Sequence, residues 1–267
     1  MSKLSLSLAW DETKAILARD GQLFGAVALA LFVLPGLIVN VSVPATKSAE
    51  LPPAGPWVAI AVIAFLISLV GQLSVIRLAM GPHVSVGEAI AHGSRRLASY
   101  VGAVLIWIVP ILLIGSVLYA AVKVNGDRPS LAAAIAFIIL FVSGTFLAVR
   151  LVLSSAVASA ETAGPVHILR RSWDLSGGNW WRLFVFLLSF GVGALCLLWA
   201  VESILFLLAR VLFHDSGPLS VGGLLVAIVA QLLSAAISVV FFVMLARIYV
   251  QRSGESGVQA SVPSSGT

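Results

Sequence analysis

Charge is scarce in this sequence. Only 10% of its 267 residues are Asp, Glu, Lys or Arg, whereas soluble domains carry about 25%. With 60% hydrophobic residues, a water-soluble fold would have too little polar surface to cover itself. Cysteine is nearly absent too. The single Cys196 lies in an apolar run and reads as a small buried hydrophobe. It excludes an intrachain disulfide and leaves redox compartment unreadable from cysteine usage. The four histidines, His83, His92, His167 and His214, lack metal spacing and have no cysteine or carboxylate cluster beside them. There is no G-x-S-x-G, P-loop or dinucleotide fingerprint. No metal, no cofactor and no enzymatic chemistry are therefore expected.

What is present is long apolar runs, with a mean hydropathy of +1.09. A helix that spans a bilayer needs about 20 mostly apolar residues. Six stretches qualify: Leu23–Val43, Trp57–Met80, Tyr100–Val122, Leu131–Ser155, Leu183–Leu208 and Val221–Tyr249. They are continuous rather than alternating, so helices are expected and not the strands of a barrel. The fold class is an all-α polytopic transmembrane bundle forming one domain over residues 1–252. Residues 253–267, rich in Ser and Gly, read as a disordered cytoplasmic tail. Pro35 and Pro110 lie inside the first and third spans, where each removes a backbone donor and is expected to kink its helix.

The first apolar run is too long for the core of a cleaved signal and no small-x-small site follows it, so it reads as an uncleaved span. Twelve of the sixteen Lys and Arg residues fall on the side that holds both termini. By the positive-inside tendency that side is cytoplasmic, and the expected location is a cell (inner) membrane.

The cytoplasmic side carries a pattern. Each odd span is preceded by an interfacial amphipathic segment. The first aligns Leu6, Trp10, Ile16 and Leu17. The second opens with a capping box, Ser85 to Glu88, and aligns Val86, Ala89, Ile90, Gly93 and Leu97. The third starts at Gly164-Pro165, aligns Val166, Leu169 and Trp173, and stops at Gly177-Gly178 before Trp180-Trp181 mark an interface. Each even span ends on an arginine: Arg77, Arg150 and Arg247. Gly71 and Gly144 stand six residues before the first two, with Phe241 at the third position. This reads as three copies of one unit, with the alternative that inner helix ends simply attract arginine.

Arg77, Arg95, Arg96, Arg150, Arg170, Arg171 and Arg247 are the candidate contacts to anionic lipid headgroups, by snorkelling at the inner leaflet. The tandem pairs Arg95-Arg96 and Arg170-Arg171 hug the membrane, which favours lipid over nucleic acid. Glu202 is the one acid within a span. An acid at that depth invites a functional reading. It stands about 28 Å along its helix, near the outer interface, so an interfacial acid with a cationic neighbour is the expected reading and a proton or ion role the lesser one. Arg210 lies about 12 Å further along, too far for direct pairing within the helix. Gln72, Thr145, Gln231 and Ser234 read as interhelical hydrogen-bonding groups, with a polar substrate path as the alternative.

Ala9-Trp10-Asp11, Ser172-Trp173-Asp174, the stretch Ile168–Leu175 and Trp180-Trp-Arg-Leu-Phe184, set among paired spans, resemble the membrane domain of glycerophosphoryl diester phosphodiesterases. That domain also occurs alone in bacterial membrane proteins. The likeness covers about residues 5 to 252. In two-part members the resemblance places the chemistry in a separate soluble barrel, which needs about 250 residues. No such stretch exists here, so no catalytic residue is carried over. The expected function is a non-enzymatic membrane domain that holds lipid or a protein partner at the inner leaflet. The alternative is a small transporter or exporter of an amphiphile. The site, if there is one, is expected on the arginine-lined face rather than beside Glu202.

Overall fold

The structure is a computed structural model. It describes residues 5–44, 55–81, 84–124, 130–213 and 220–261. Every described element is helical: α1 (Leu6–Ala28), a five-residue π-turn (Leu29–Val33), α2 (Leu34–Ser42), α3 (Pro56–Met80), α4 (Val86–Val124), α5 (Leu131–Arg150), α6 (Ser154–Ala160), α7 (Pro165–Ser176), α8 (Trp180–Phe213) and α9 (Val221–Ser261). Six helical stretches are long and apolar enough to cross a membrane. The protein is an all-α polytopic bundle.

The interfacial segments meet their spans in different ways. In α1 the segment runs straight into the first span, broken only by the non-helical backbone of Asp20 (φ −116°, ψ 17°). In α4 nothing interrupts the helix, which begins at the expected box: the Ser85 N–H donates to Glu88 Oε2 at 3.0 Å and the Glu88 N–H to Ser85 Oγ at 3.2 Å. Only α7 is a separate helix. It starts at Pro165 after Gly164 and stops where Gly178 takes φ 74°, a left-handed backbone that favours glycine.

Several expected details change. The fourth apolar stretch, Leu131–Ala160, is not one continuous helix: α5 ends at Arg150, and after a turn α6 begins at Ser154. Residues 154–159 are all buried, so its last turns pack into the protein core. Pro35 follows a π-turn by two residues, and α4 is continuous through Pro110. Cys196 is exposed on α8 rather than buried; on a membrane helix an exposed apolar face is covered by lipid. α9 continues to Ser261, past residue 252, because extending an existing helix orders one residue per hydrogen bond and needs no new nucleus. Residues 262–267 of the expected tail lie outside the described residues.

Packing is uneven along the bundle. The largest fully buried side chains include Leu73 and Ile76 on α3, Val157 on α6, Ile168 on α7 and Leu245 and Ile248 on α9. These positions sit where the even spans end and the interfacial segments dock. Towards the other end, Leu112 and Val117 on α4, Phe141 on α5 and Leu195 on α8 are exposed. Hydrophobic transfer therefore fastens one end of the bundle from within, and the far half presents its apolar side chains outwards.

Candidate functional site

Two places bring functional groups together. The first is the face formed by the ends of α3, α5 and α9 that carry Arg77, Arg150 and Arg247, together with the segments at the starts of α1, α4 and α7. Arg247 on α9 donates to Glu12 on α1, Nε to Oε2 at 2.7 Å, across 235 residues. The Arg150 guanidinium lies over the Trp173 ring at 4.9 Å and the Phe146 ring at 5.5 Å. Its Nε is buried without an acceptor among the described residues, and Ser172 on α7 donates to its carbonyl at 3.1 Å. Arg252 caps the end of α7, donating to the carbonyls of Leu175 at 3.1 Å and Gly177 at 3.4 Å. Two of the three repeat arginines thus lean on the interfacial helix that follows in cyclic order, α7 for Arg150 and α1 for Arg247. Arg77 faces the corresponding segment of α4, where its charge acts on His92.

Glu161, just beyond α6, is the hub of this face. It accepts from the Tyr249 hydroxyl at 2.9 Å and from Arg171 Nε at 3.2 Å, and His167 Nδ1 lies 3.9 Å away. A short relay beside it locks α6 in place: Ser159 Oγ donates to the Leu73 carbonyl at 2.9 Å, and His92 Nε2 contacts the Ser159 carbonyl at 2.9 Å. Among the seven expected lipid-contact arginines, Arg150, Arg171 and Arg247 are thus held by intramolecular partners. Arg95 and Arg170 are exposed and Arg96 and Arg77 partly so. The Arg95 Nε reaches only the Ala91 carbonyl of its own helix, at 3.1 Å. Trp10 on α1, Trp173 on α7 and Trp181 at the start of α8 are exposed. Sequence reasoning overlooked Glu12, Glu161 and Tyr249. The signal for Glu161 was there, a single acid in the loop between Arg150 and the Arg170-Arg171 pair.

The second place is a cleft of about 580 Å³ walled by α2 and α8 and floored by α9. Asn40, Glu202, Ser203, Gln231 and Ser234 all line it. From Gly223 to Ser234 it follows α9 for eleven residues, about 16 Å of helix. The setting of Glu202 was not legible in the sequence: the acid opens onto a polar recess. Arg210 does not serve it as a partner and instead lies over the Phe206 ring at 5.9 Å.

Gln231 anchors the floor. Its amide donates to the Phe32 carbonyl at 3.2 Å, inside the π-turn whose ladder Pro35 also disturbs. The approach depends on Gly36, since a Cβ there would collide with the Gln231 side chain. Gln231 is thus the interhelical group expected of it, as is Gln72, which donates to Tyr100 Oη at 3.2 Å. Thr145 is not: its hydroxyl donates to Phe141 O in its own helix. Gln231→Leu should lower stability in detergent by about 1 kcal/mol, one interhelical hydrogen bond. A thermal melt followed by size-exclusion chromatography reads this directly.

Among the described residues no group of three or more His, Cys, Asp or Glu is arranged to hold a metal. His83 and His214 lie outside the described residues.

A family model, domain of unknown function (DUF7847), matches residues 9–252. The chain belongs to this family. The DUF7847 match begins within the Ala9-Trp10-Asp11 segment and ends at Arg252 on the cap of α7, so it takes in every helix of both sites. The DUF7847 description says nothing of diesterase membrane domains. No curated protein and no solved structure matches the chain.

Proposed function

We propose that this protein is a non-enzymatic membrane domain that holds anionic lipid headgroups at the cytoplasmic leaflet of a cell membrane, with both termini cytoplasmic. One observation carries this reading. After Arg150, Arg171 and Arg247 have found intramolecular partners, Arg95 and Arg170 remain exposed and Arg96 partly exposed on the interfacial segments, which also carry the exposed Trp10 and Trp173. Aromatic residues settle at the headgroup level, and a basic group near an anionic leaflet contributes about 1 kcal/mol. The kinship with diesterase-type membrane domains stays within this proposal, on the Ser-Trp-Asp and Trp-Trp-Arg motifs.

The test is purification from native membrane followed by quantification of the retained lipid by mass spectrometry. The triple variant Arg95→Gln, Arg96→Gln, Arg170→Gln should retain about tenfold less anionic lipid while its melting temperature holds, since three charges at about 1 kcal/mol each set a ceiling well above that. Equal retention by variant and parent, or a co-purifying protein in place of lipid, rejects the lipid reading.

The second reading is a small transporter or exporter of an amphiphile. The polar cleft at Glu202 favours it, because a recess of this size matches those that take small molecules. A deletion strain with unchanged uptake and efflux of amphiphiles would count against it.

A further inference from the structure

The polar cleft has a chemistry of its own, separate from the basic face. Its walls mix apolar residues with polar side chains, Asn40 from α2, Glu202 and Ser203 from α8, and Gln231 and Ser234 from α9. The consecutive helices α8 and α9 meet the sequence-distant α2 there. In a bilayer such groups cannot face hydrocarbon without cost, so a polar recess at this depth holds water or a ligand's polar head.

The charge balance selects the ligand. Among the described residues Glu202 is the only ionisable side chain lining the cleft, and it forms no ion pair. The nearest basic residue along α8, Arg210, is directed over Phe206. Trp199 lies one turn before Glu202 and lines the same space. Residues three apart share a helix face, so an indole ring and a carboxylate flank one position. That pair suits a cation, which the carboxylate attracts by charge and the ring by its π-face. The neutral amides and hydroxyls below exchange hydrogen bonds with a head's polar atoms. Leu198 and Val226 offer apolar wall to the rest of the molecule.

We propose that this cleft binds a molecule with a positively charged head on an apolar body, with Glu202 as the counter-charge and Trp199 as the stacking surface. The head comes from one of two sources, the ammonium of a zwitterionic phospholipid or a free amphiphilic cation. The proposal does not depend on the lipid reading of the opposite, arginine-bearing face, and each fails separately.

The experiment uses the full chain in uncharged detergent with radiolabelled tetraphenylphosphonium as the probe, read by equilibrium binding. The parent should bind the cation saturably and ignore tetraphenylborate, an anion of the same shape. Glu202→Gln should weaken binding about tenfold, the scale of one partly desolvated charge pair, and Glu202→Asp should recover part of it. Trp199→Leu should weaken it about threefold through loss of the cation–π contact. The melting temperature of each variant, read alongside, shows that the bundle stays folded. Competition by phosphatidylethanolamine identifies the lipid ammonium as the occupant, and lack of competition by any lipid identifies the free amphiphile. Binding unchanged in Glu202→Gln, equal binding of tetraphenylborate, or equal competition by phosphatidylglycerol overturns the proposal. The same triple arginine variant used for the opposite face should bind the probe like the parent.

Discussion

Gly93→Val should unfold this protein in detergent at a temperature several degrees below that of the parent. At Gly93, α4 rides so close to α3 that a Cβ would stand 2.9 Å from the Val70 carbonyl oxygen and 2.9 Å from Ser74 Oγ. The first of these is backbone and cannot swing away. The second is already engaged, donating to Val70 O at 2.6 Å and reaching Ala89 O at 3.3 Å across the seam. Small residues at such crossings let membrane helices approach. Overpacking a well-filled contact costs about 1–3 kcal/mol, and more where backbone must shift. Intrinsic preference works the other way, since glycine in a helix is about 1 kcal/mol worse than alanine. Gly87, on the same helix, makes the control: a Cβ there meets nothing within 4 Å, so Gly87→Ala should be neutral or slightly stabilising. Opposite signs at two glycines six residues apart would tie the effect to the crossing rather than to helix propensity.

The second large effect is expected at Glu161. Its carboxylate gathers Tyr249 from α9 and Arg171 from α7, and its side chain is 28% exposed, so water screens it only in part. Glu161→Ala leaves a hydroxyl and a guanidinium without their acceptor. Hydrogen bonds to charged groups contribute about 1.5–3 kcal/mol each, and orphaned partners add to the loss. A destabilisation of about 2–3 kcal/mol is expected, with Glu161→Gln milder because it keeps an acceptor. Tyr249→Phe in the Glu161→Ala background should then cost almost nothing further, the signature of two groups in one network. Additive losses in that double-mutant cycle would show that Glu161 acts through something other than these contacts.

Much of the fold was legible because the membrane imposes length and apolarity on every span. Leu131–Ser155 and Trp57–Met80 announce themselves as spans by composition alone, and the Ser85–Glu88 box and the Pro165 start rest on contacts three residues long or less. The break after Arg150 shows the limit. Residues 154–160 read on from α5 in the sequence, and only their burial against α3, α4 and α7 marks them as core helix. The sites divide in the same way. Arginines at inner helix ends can be counted from the sequence, but whether each is free depends on Glu12 lying 235 residues from Arg247. Asn40 and Gln231 join Glu202 only once α2 and α8 have both docked on α9. Gly71 and Gly144 occupied equivalent places in the repeat, yet a Cβ at Gly71 would meet Leu31 Cβ at 2.9 Å while one at Gly144 would find only ordinary contact with Ile111 at 3.9 Å. The pattern was shared and the packing reason was not.

The uneven core has a mechanical consequence. A bundle fastened from within at one end, and sheathed by acyl chains along the rest, resembles tweezers whose hinge is protein and whose spring is the bilayer. The expected outcome is that the recess between α8 and α2 takes the cation probe with different affinity in bilayers of short-chain and long-chain lipid, read by equilibrium binding, without any change to the residues themselves.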